Sequence, residues 1–267
     1  MAMHQSHTPH KEPEEIFLPL SQKRYVEFYS LEMDNFSKDI VFYQKNIPHA
    51  ARVLELGCGT GRISRALSST HTMFGLDLSH TMLQQAKQKH KLEAGYVCMD
   101  MTQMAFQKPF DHIIIPYNTL NLLQSEARTR DCLKQIFTLL QPHGTLLFQI
   151  YIAGKEMKET GDKKLFQFQM FSLPDDKGKL IKESIRSYNS EKETITLEER
   201  YRMRPTAPDM VKEDLTHTLH LSGFFFEKWL SILKSAGFNQ LSPYGDYNNR
   251  PFHAEQDSLL LIQAASS

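Results

Sequence analysis

The stretch Val53-Leu-Glu-Leu-Gly-Cys-Gly-Thr-Gly-Arg62 constrains this chain more than any other. A short apolar run with one carboxylate, residues 51–56, meets glycines at 57, 59 and 61. A helical pattern then opens at about Arg62 and runs to Ser69. Strand, glycine turn and helix in that order let backbone lie against a ligand. No Cβ stands in the way, and the first helical N–H groups lack partners. Residues 74–78 read as the next short strand, and Asp77, eighteen residues after Gly59, closes it. A carboxylate there can accept both hydroxyls of a ribose. A tight turn with a capping Asp is the purely structural alternative. Turn and acid together at this spacing favour a ligand site.

The rest of the chain extends the alternation. Before the glycine turn, residues 17–46 follow a helical period, with Tyr25, Phe28 and Tyr29, then Phe36, Ile40 and Tyr43, three and four apart, and Pro48 ends the region. Ser79 is a candidate N-cap for a helix through Lys89. Residues 96–99 read as a third strand with Asp100 at its end. Residues 111–116 read as a fourth, nearly all apolar and therefore buried on both faces. A helix after Ser125 stops at Pro142 and Gly144, and 145–152 forms a fifth strand. Residues 164–173, 179–189, 194–204 and 215–226 are long, rich in β-branched and aromatic residues, and separated by turn signals. A helix at 227–236, Gly237 as its stop and a strand at 259–263 then resume the first pattern. The expected fold is α/β: a Rossmann-like, doubly wound seven-stranded sheet with an antiparallel β insertion forming a substrate lid. The expected division is a disordered tail at 1–15, a core at 16–154 and 227–267 with an N-terminal helical cap, and the lid at 155–226. His4, His7 and His10 in the tail are spaced by three but read as part of a floppy polar segment, so no metal site is expected.

Composition excludes several classes. The 267 residues carry 31 Lys+Arg against 31 Asp+Glu, so no bulk charge holds nucleic acid or a membrane. No run reaches the roughly 18 apolar residues of a membrane span, and the N-terminus has no apolar signal core. Cys58, Cys98 and Cys132 cannot staple a secreted domain and fit a reducing compartment. The expected location is the cytoplasm.

The glycine spacing is G-x-G-x-G rather than the G-x-G-x-x-G of dinucleotide sites, and Glu55 precedes it. An acid beside the turn would repel a pyrophosphate and suits a ligand with a cationic amino acid end. The run ELGCGTG resembles motif I of the class I S-adenosylmethionine-dependent methyltransferases. The resemblance continues through GLDLS (75–79), CMDM (98–101), FDHIIIPYNTLNLL (110–123) and LLQPHGTLLF (139–148). It implies S-adenosylmethionine as cofactor, with Gly57, Cys58 and Gly59 along its amino acid part and Glu55 supporting the turn. It also implies Asp77 on the ribose, Leu78 and Met101 on either side of the adenine, and Asp100 on the exocyclic amine. Tyr117 would face the methionine end and the acceptor. Residues 24–43 resemble the N-terminal cap of small-molecule methyltransferases, where the counterpart of Tyr29 lines the cofactor pocket. Residues 244–264 resemble their final hairpin, and 155–226 resembles their substrate lid.

In one respect the chain departs from that pattern. Some of these enzymes carry a His three or four residues beyond the position of Asn118, where this chain has Leu122. No catalytic base carries over to that position, so the catalytic residue stays unassigned. The candidates are Tyr117, His217 and His220, with Tyr201 and Glu198 further back, and the two histidines, three apart on a strand, face opposite sides and read equally as sheet-surface residues. Phe166, Phe168, Phe171, Tyr188 and Tyr201 could form an acceptor pocket or pack on the core. Arg200, Arg202 and Arg204 share a face and could hold an anion or form a solvated stripe. The resulting expectation is methyl transfer to N or O of a small molecule by a monomer or homodimer, with no nucleic acid and no membrane. An RNA methyltransferase and a non-catalytic methyltransferase-like binding protein are the alternatives.

Overall fold

The computed structural model describes residues 22–92, 95–152, 164–206, 208, 210–254 and 256–265. The tail at 1–15 with its three histidines lies outside them, as does the first stretch of the expected lid. Two helices, α1 (Lys23–Met33) and α2 (Lys38–Asn46), precede the sheet. The single helical region expected there is broken between them. Arg62 fills the break, donating to the Phe36 carbonyl at 2.6 Å and forming a two-pronged ion pair with the fully buried Asp39. The N-terminal pair of helices is thereby fixed to the helix that follows the glycine turn.

Seven strands then form one sheet. They are β1 (Arg52–Leu56), β2 (Thr72–Asp77), β3 (Tyr96–Cys98), β4 (Phe110–Ile115), β5 (Leu140–Tyr151), β10 (Gln240–Tyr244) and β11 (Leu259–Ala265). Their order is β10-β11-β5-β4-β1-β2-β3, with β11 antiparallel to both its neighbours and β5, β4, β1, β2 and β3 parallel to one another. The doubly wound arrangement follows from the crossovers: α3 (Arg62–Leu67), α4 (His80–Lys89), α5 (Glu126–Leu139) and α6 (Phe226–Ser235). Alternate residues of the central strands feed two separate cores. Leu54, Ile113, Ile115 and Phe148 pack under α5 and α6 with Leu133, Ile136 and Trp229. Val53, Ile114 and Leu147 pack under α2, α3 and α4 with Phe42, Ile63 and Leu83. Burial on both faces explains the unbroken Ile113–Ile115 run.

Local signals account for most boundaries. Ser79 caps α4, its hydroxyl accepting from the Met82 N–H at 3.3 Å. Gly237, at φ +109°, ends α6. Strand β5 differs from expectation: it starts at Leu140, with Pro142 and Gly144 inside it. The register jumps from Phe110↔Leu140 to His112↔Thr145, so these residues fall in an irregularity where ladder bonds are absent, and regular pairing with β4 resumes at Thr145.

Between β5 and α6 the chain forms a second, four-stranded antiparallel sheet, a meander of β6 (Leu165–Ser172), β7 (Gly178–Asn189), β8 (Thr194–Pro205) and β9 (Glu213–Ser222). One face turns toward the C-terminal ends of β1, β2 and β4 and toward α1. Tyr25, Val26 and Phe28 of α1 pack with Leu180, Tyr201 and Met203 there. Among the described residues no helix is long and apolar enough to cross a membrane.

Candidate functional site

A cavity of about 240 Å³ lies between the carboxyl ends of the parallel strands and the inner face of the second sheet. This is the crevice in which open α/β sheets bind ligands. Its floor is the glycine turn. Gly57 (φ +67°) and Gly59 (φ +52°) both occupy the left-handed region. A Cβ on Gly57 would stand 2.2 Å from the Thr119 side chain. One on Gly59 would enter the cavity, 3.8 Å from the Tyr29 ring and 4.0 Å from the Met82 sulfur. A side chain at Gly57 would therefore clash with Thr119, whereas one at Gly59 would meet only ordinary contacts and is disfavoured by the left-handed backbone.

Asp77 closes β2 against this turn. One carboxylate oxygen accepts from the Gly59 N–H at 2.8 Å and the other from the Ser79 N–H at 2.7 Å. The Leu78 N–H also stabilises this carboxylate, which with about four acceptor sites keeps capacity for a further donor on the cavity it borders. Burial raises its pKa, opposed by these backbone donors. Asp100, also on the wall, accepts from the Thr102 N–H and hydroxyl at 2.8 and 2.9 Å, with Arg128 at 3.4 Å. Leu78, Met101, Tyr29 and Tyr117 complete this half. Tyr117 and Asn118 follow β4 in consecutive left-handed conformations, φ +51° and +62°. Such backbone is unusual for residues with side chains and is held here by surroundings. The Tyr247 hydroxyl donates to Gln149 at 2.7 Å, and the Gln149 amide donates to the Asn118 side-chain oxygen at 3.3 Å. This relay leaves the Asn118 amide nitrogen, a donor, for the cavity that Asn118 lines.

Residues 53–144, which hold the turn and both carboxylates, match the family model described as a methyltransferase domain. That match, over about a third of the chain, identifies this segment as a methyltransferase domain. A Bacillus subtilis (strain 168) protein, YqeM, assigned only provisionally as a methyltransferase, is 33% identical over 116 residues. That match covers 42% of this chain and 47% of YqeM, so the chain aligns with about half of that relative's length. Among solved structures, an S-adenosylmethionine-dependent methyltransferase of Clostridium acetobutylicum ATCC 824 superposes with a TM-score of 0.74 at 17% identity, covering 91% of this chain and 98% of that one. The S-adenosylmethionine-bound amino pentose methyltransferase CalS10 of Micromonospora echinaspora superposes at 0.66 with 18% identity over 99% and 100%. These likenesses establish the fold over nearly the whole chain.

Two of the expected cofactor residues in the methyltransferase domain do not border the cavity. Glu55 is 2% exposed and sits behind the turn, where the Ser64 hydroxyl of α3 donates to it. Burial pushes its pKa up to about 8. The fold thus disfavours the negative charge beside the turn that the sequence suggested. Cys58 turns its side chain into the core with Ile63, Met73 and Leu83, and burial pushes its thiol pKa up. Only its backbone belongs to the turn; its N–H donates to the Leu76 carbonyl at 2.9 Å.

The second sheet differs more from expectation. Phe166 and Phe168 are 64% and 53% exposed on the outer face, so they neither line the cavity nor pack on the core. Their neighbours Gln167 and Gln169 point inward instead. Phe171, Tyr188 and Tyr201 pack against neighbouring side chains rather than lining the cavity. Arg200, Arg202 and Arg204 pair with Asp214, Glu183 and Asp214. His220 is exposed near Thr196 and lies away from the site. His217 is buried, as opposite faces require, but does not border the cavity. Its Nε2 meets Glu199 at 2.8 Å and its ring stands edge-on to Tyr25 at 4.6 Å.

The sequence reading missed the polar inner wall. Lys182 lies between Glu32 of α1 (2.9 and 3.0 Å) and Glu199 (2.7 Å), and the Tyr201 hydroxyl donates to Glu32. Lys182 and His217 hold the Glu199 pKa down at about 2 despite burial. Lys182, Ser184 and Arg186 alternate along β7, all inward. That alternation was the available signal, but nothing local says which face of the strand is covered.

Proposed function

We propose that this chain moves a methyl group from S-adenosylmethionine to nitrogen or oxygen of a small-molecule acceptor. One observation carries the reading: a single cavity is lined by the glycine turn with Asp77 and Asp100 on one side and by the inner wall of the second sheet on the other. The bare Gly59 above Tyr29 and Met82 leaves room for a ligand against the turn. In this reading Gly57 and Gly59 lie along the amino acid part of the cofactor, with Glu55 and Cys58 holding the turn from behind. Asp77 accepts from the ribose hydroxyls with its remaining acceptor capacity, Leu78 and Met101 flank the adenine, and Asp100 accepts from its amine. Tyr29 and Tyr117 stand at the methionine end. The bound cofactor supplies a methyl group already activated on a sulfonium.

The residues then have two tasks: aligning the acceptor atom behind that methyl and keeping water out. In-line displacement depends mainly on such positioning. A base is needed only when the acceptor atom must lose a proton before attack. The second sheet acts as the lid, and its roofed cavity of about 240 Å³ suits a small acceptor better than a polynucleotide. The likeness to an amino pentose methyltransferase supports a small-molecule acceptor. Three free cysteines fit a reducing compartment, and the cytoplasm is the proposed location.

Calorimetry with S-adenosylmethionine and S-adenosylhomocysteine tests the reading, together with a screen of amines, sugars and phenols for release of S-adenosylhomocysteine. Both ligands are expected to bind, and Asp77→Ala is expected to weaken them by roughly tenfold or more, the worth of a hydrogen-bonded carboxylate. Absence of binding at about 1 mM overturns the cofactor assignment. Binding without turnover across the screen favours a binding protein over an enzyme.

A further inference from the structure

We propose that the methyl acceptor carries an anionic group, a carboxylate or a phosphate monoester, and that Arg186 on the cavity wall holds it. The inference rests on the reading of this cavity as a methyl-transfer site and adds the chemical class of the acceptor.

The charges of the inner wall are unequally satisfied. Lys182 is shared between Glu32 and Glu199, and the second oxygen of Glu199 meets His217, so these groups already partner one another within the wall. Arg186 lies four residues further along β7 on the same face. Among the described residues no carboxylate stands within ion-pair distance of it. Its guanidinium lies over the Tyr151 ring, 5.5 Å from the centroid. An aromatic face fixes the plane of a guanidinium but leaves its fork of N–H donors for another partner. Its cross-strand neighbours Leu165 and Leu197 are apolar, and Ser184 and Gln167, paired with each other across the strands, are neutral. A guanidinium partly removed from water beside such neighbours favours an anion. The outer-face arginines 200, 202 and 204 show the contrast: each already has a carboxylate.

Its location fits an acceptor. Tyr151 is bonded through its backbone to Asn121, in the 3-10 turn Thr119–Leu123 that directly follows Tyr117 and Asn118. Leu122 of that turn and Tyr151 pack in one cluster with Leu165 and Leu197. Arg186 therefore stands on the lid, beside the loop after β4, and not at the glycine turn where the amino acid part of the cofactor is placed. An acceptor bound between Arg186 and Tyr117 would have its anion on the lid and its nucleophile toward the methyl group. Gln167 and Ser184 supply neutral hydrogen bonds along the way.

The test measures binding of phenyl phosphate, benzoate and benzamide by calorimetry at constant ionic strength, with S-adenosylhomocysteine saturating. Wild type, Arg186→Gln, Arg186→Lys and the outer-face control Arg202→Gln are compared. Wild type and the control are expected to bind one or both anions roughly tenfold tighter than benzamide, as a charge-assisted pair requires. Arg186→Gln should abolish that preference, and Arg186→Lys should keep part of it. Preference for phenyl phosphate over benzoate, or the reverse, identifies which anion the site takes. Equal binding of anion and amide, or a preference unchanged in Arg186→Gln, overturns the proposal. So does a loss of S-adenosylhomocysteine affinity in Arg186→Gln, which would assign the residue to the cofactor. Failure of wild type to bind S-adenosylhomocysteine instead removes the underlying methyl-transfer reading.

Discussion

Glu55 shows how one residue can be both conspicuous in the sequence and hidden in the fold. It stands two residues before the glycine turn, yet its carboxyl is buried behind the turn and receives the Ser64 hydroxyl. Burial raises its pKa to about 8 from an ordinary 4.5. Between these values the folded chain keeps a proton that the unfolded chain has released. Stability must therefore fall as pH rises through that window. Glu55→Gln keeps an oxygen for Ser64 and has no proton to lose. In urea titrations the variant should gain stability relative to wild type steadily from about pH 5 to pH 8, the window set by this linkage. A difference that does not change with pH would mean that Glu55 stays ionised in the fold. The placement of Asp77 against the glycine turn was legible because it rests on spacing within some twenty residues. Gln167, Gln169, Lys182 and Glu199 were not, because period two marks two faces of a strand without saying which is covered. Strand β6 even reverses the usual pattern, with Phe166, Phe168 and Met170 outward.

The elements meet through a few polar side chains that no hydrophobic pattern announces. Asn121 is fully buried in the turn after β4. Its amide nitrogen donates to the carbonyls of Tyr151 and Ser222 at 2.9 and 2.8 Å, and its oxygen accepts from the Tyr151 N–H at 3.1 Å. Tyr151 ends β5 and Ser222 ends β9, so one carboxamide ties the strands by which the chain leaves and re-enters the main sheet. Asn121→Ala would remove these three hydrogen bonds, at roughly 1–3 kcal/mol for each buried backbone group that loses its partner. The expected outcome is a lower urea midpoint with faster amide exchange at Tyr151, while the amides of β1 and β4 keep their protection. Uniform loss of protection through both sheets would show instead that Asn121 supports the whole core. Elements with strong periodicity were legible to within a few residues. The break between α1 and α2 was not, since it is made by Arg62 reaching back to Phe36 and Asp39. The early start of β5 was hidden because Pro142 and Gly144 read as a helix stop and sit in a bulge.

At the scale of the molecule three pieces close the cavity: the parallel sheet, the second sheet, and α1 laid between them. The alternation of elements foretold the first two. Their joint was illegible because it links residues far apart in sequence, Lys182 with Glu32 at a separation of 150 positions. Glu32, Lys182, Glu199 and His217 are all buried, and together they connect α1 with β7, β8 and β9. A buried pair adds little over apolar packing, but removing one partner strands the other charge. Lys182→Met would leave two carboxylates without their cation, costing roughly 3–5 kcal/mol. The pKa of Glu199, held at about 2 against an ordinary 4.5, identifies the same joint in acid: its contribution is complete above 4.5 and is lost as pH falls toward 2. If the network is what fastens α1 to the second sheet, the amides of α1 and of β7 and β8 should gain exchange together in Lys182→Met, while β1 and β4 stay protected. Faster exchange confined to β7 and β8 would mean that α1 is held by Tyr25, Val26 and Phe28 alone, and that the cavity is roofed by packing rather than by charge.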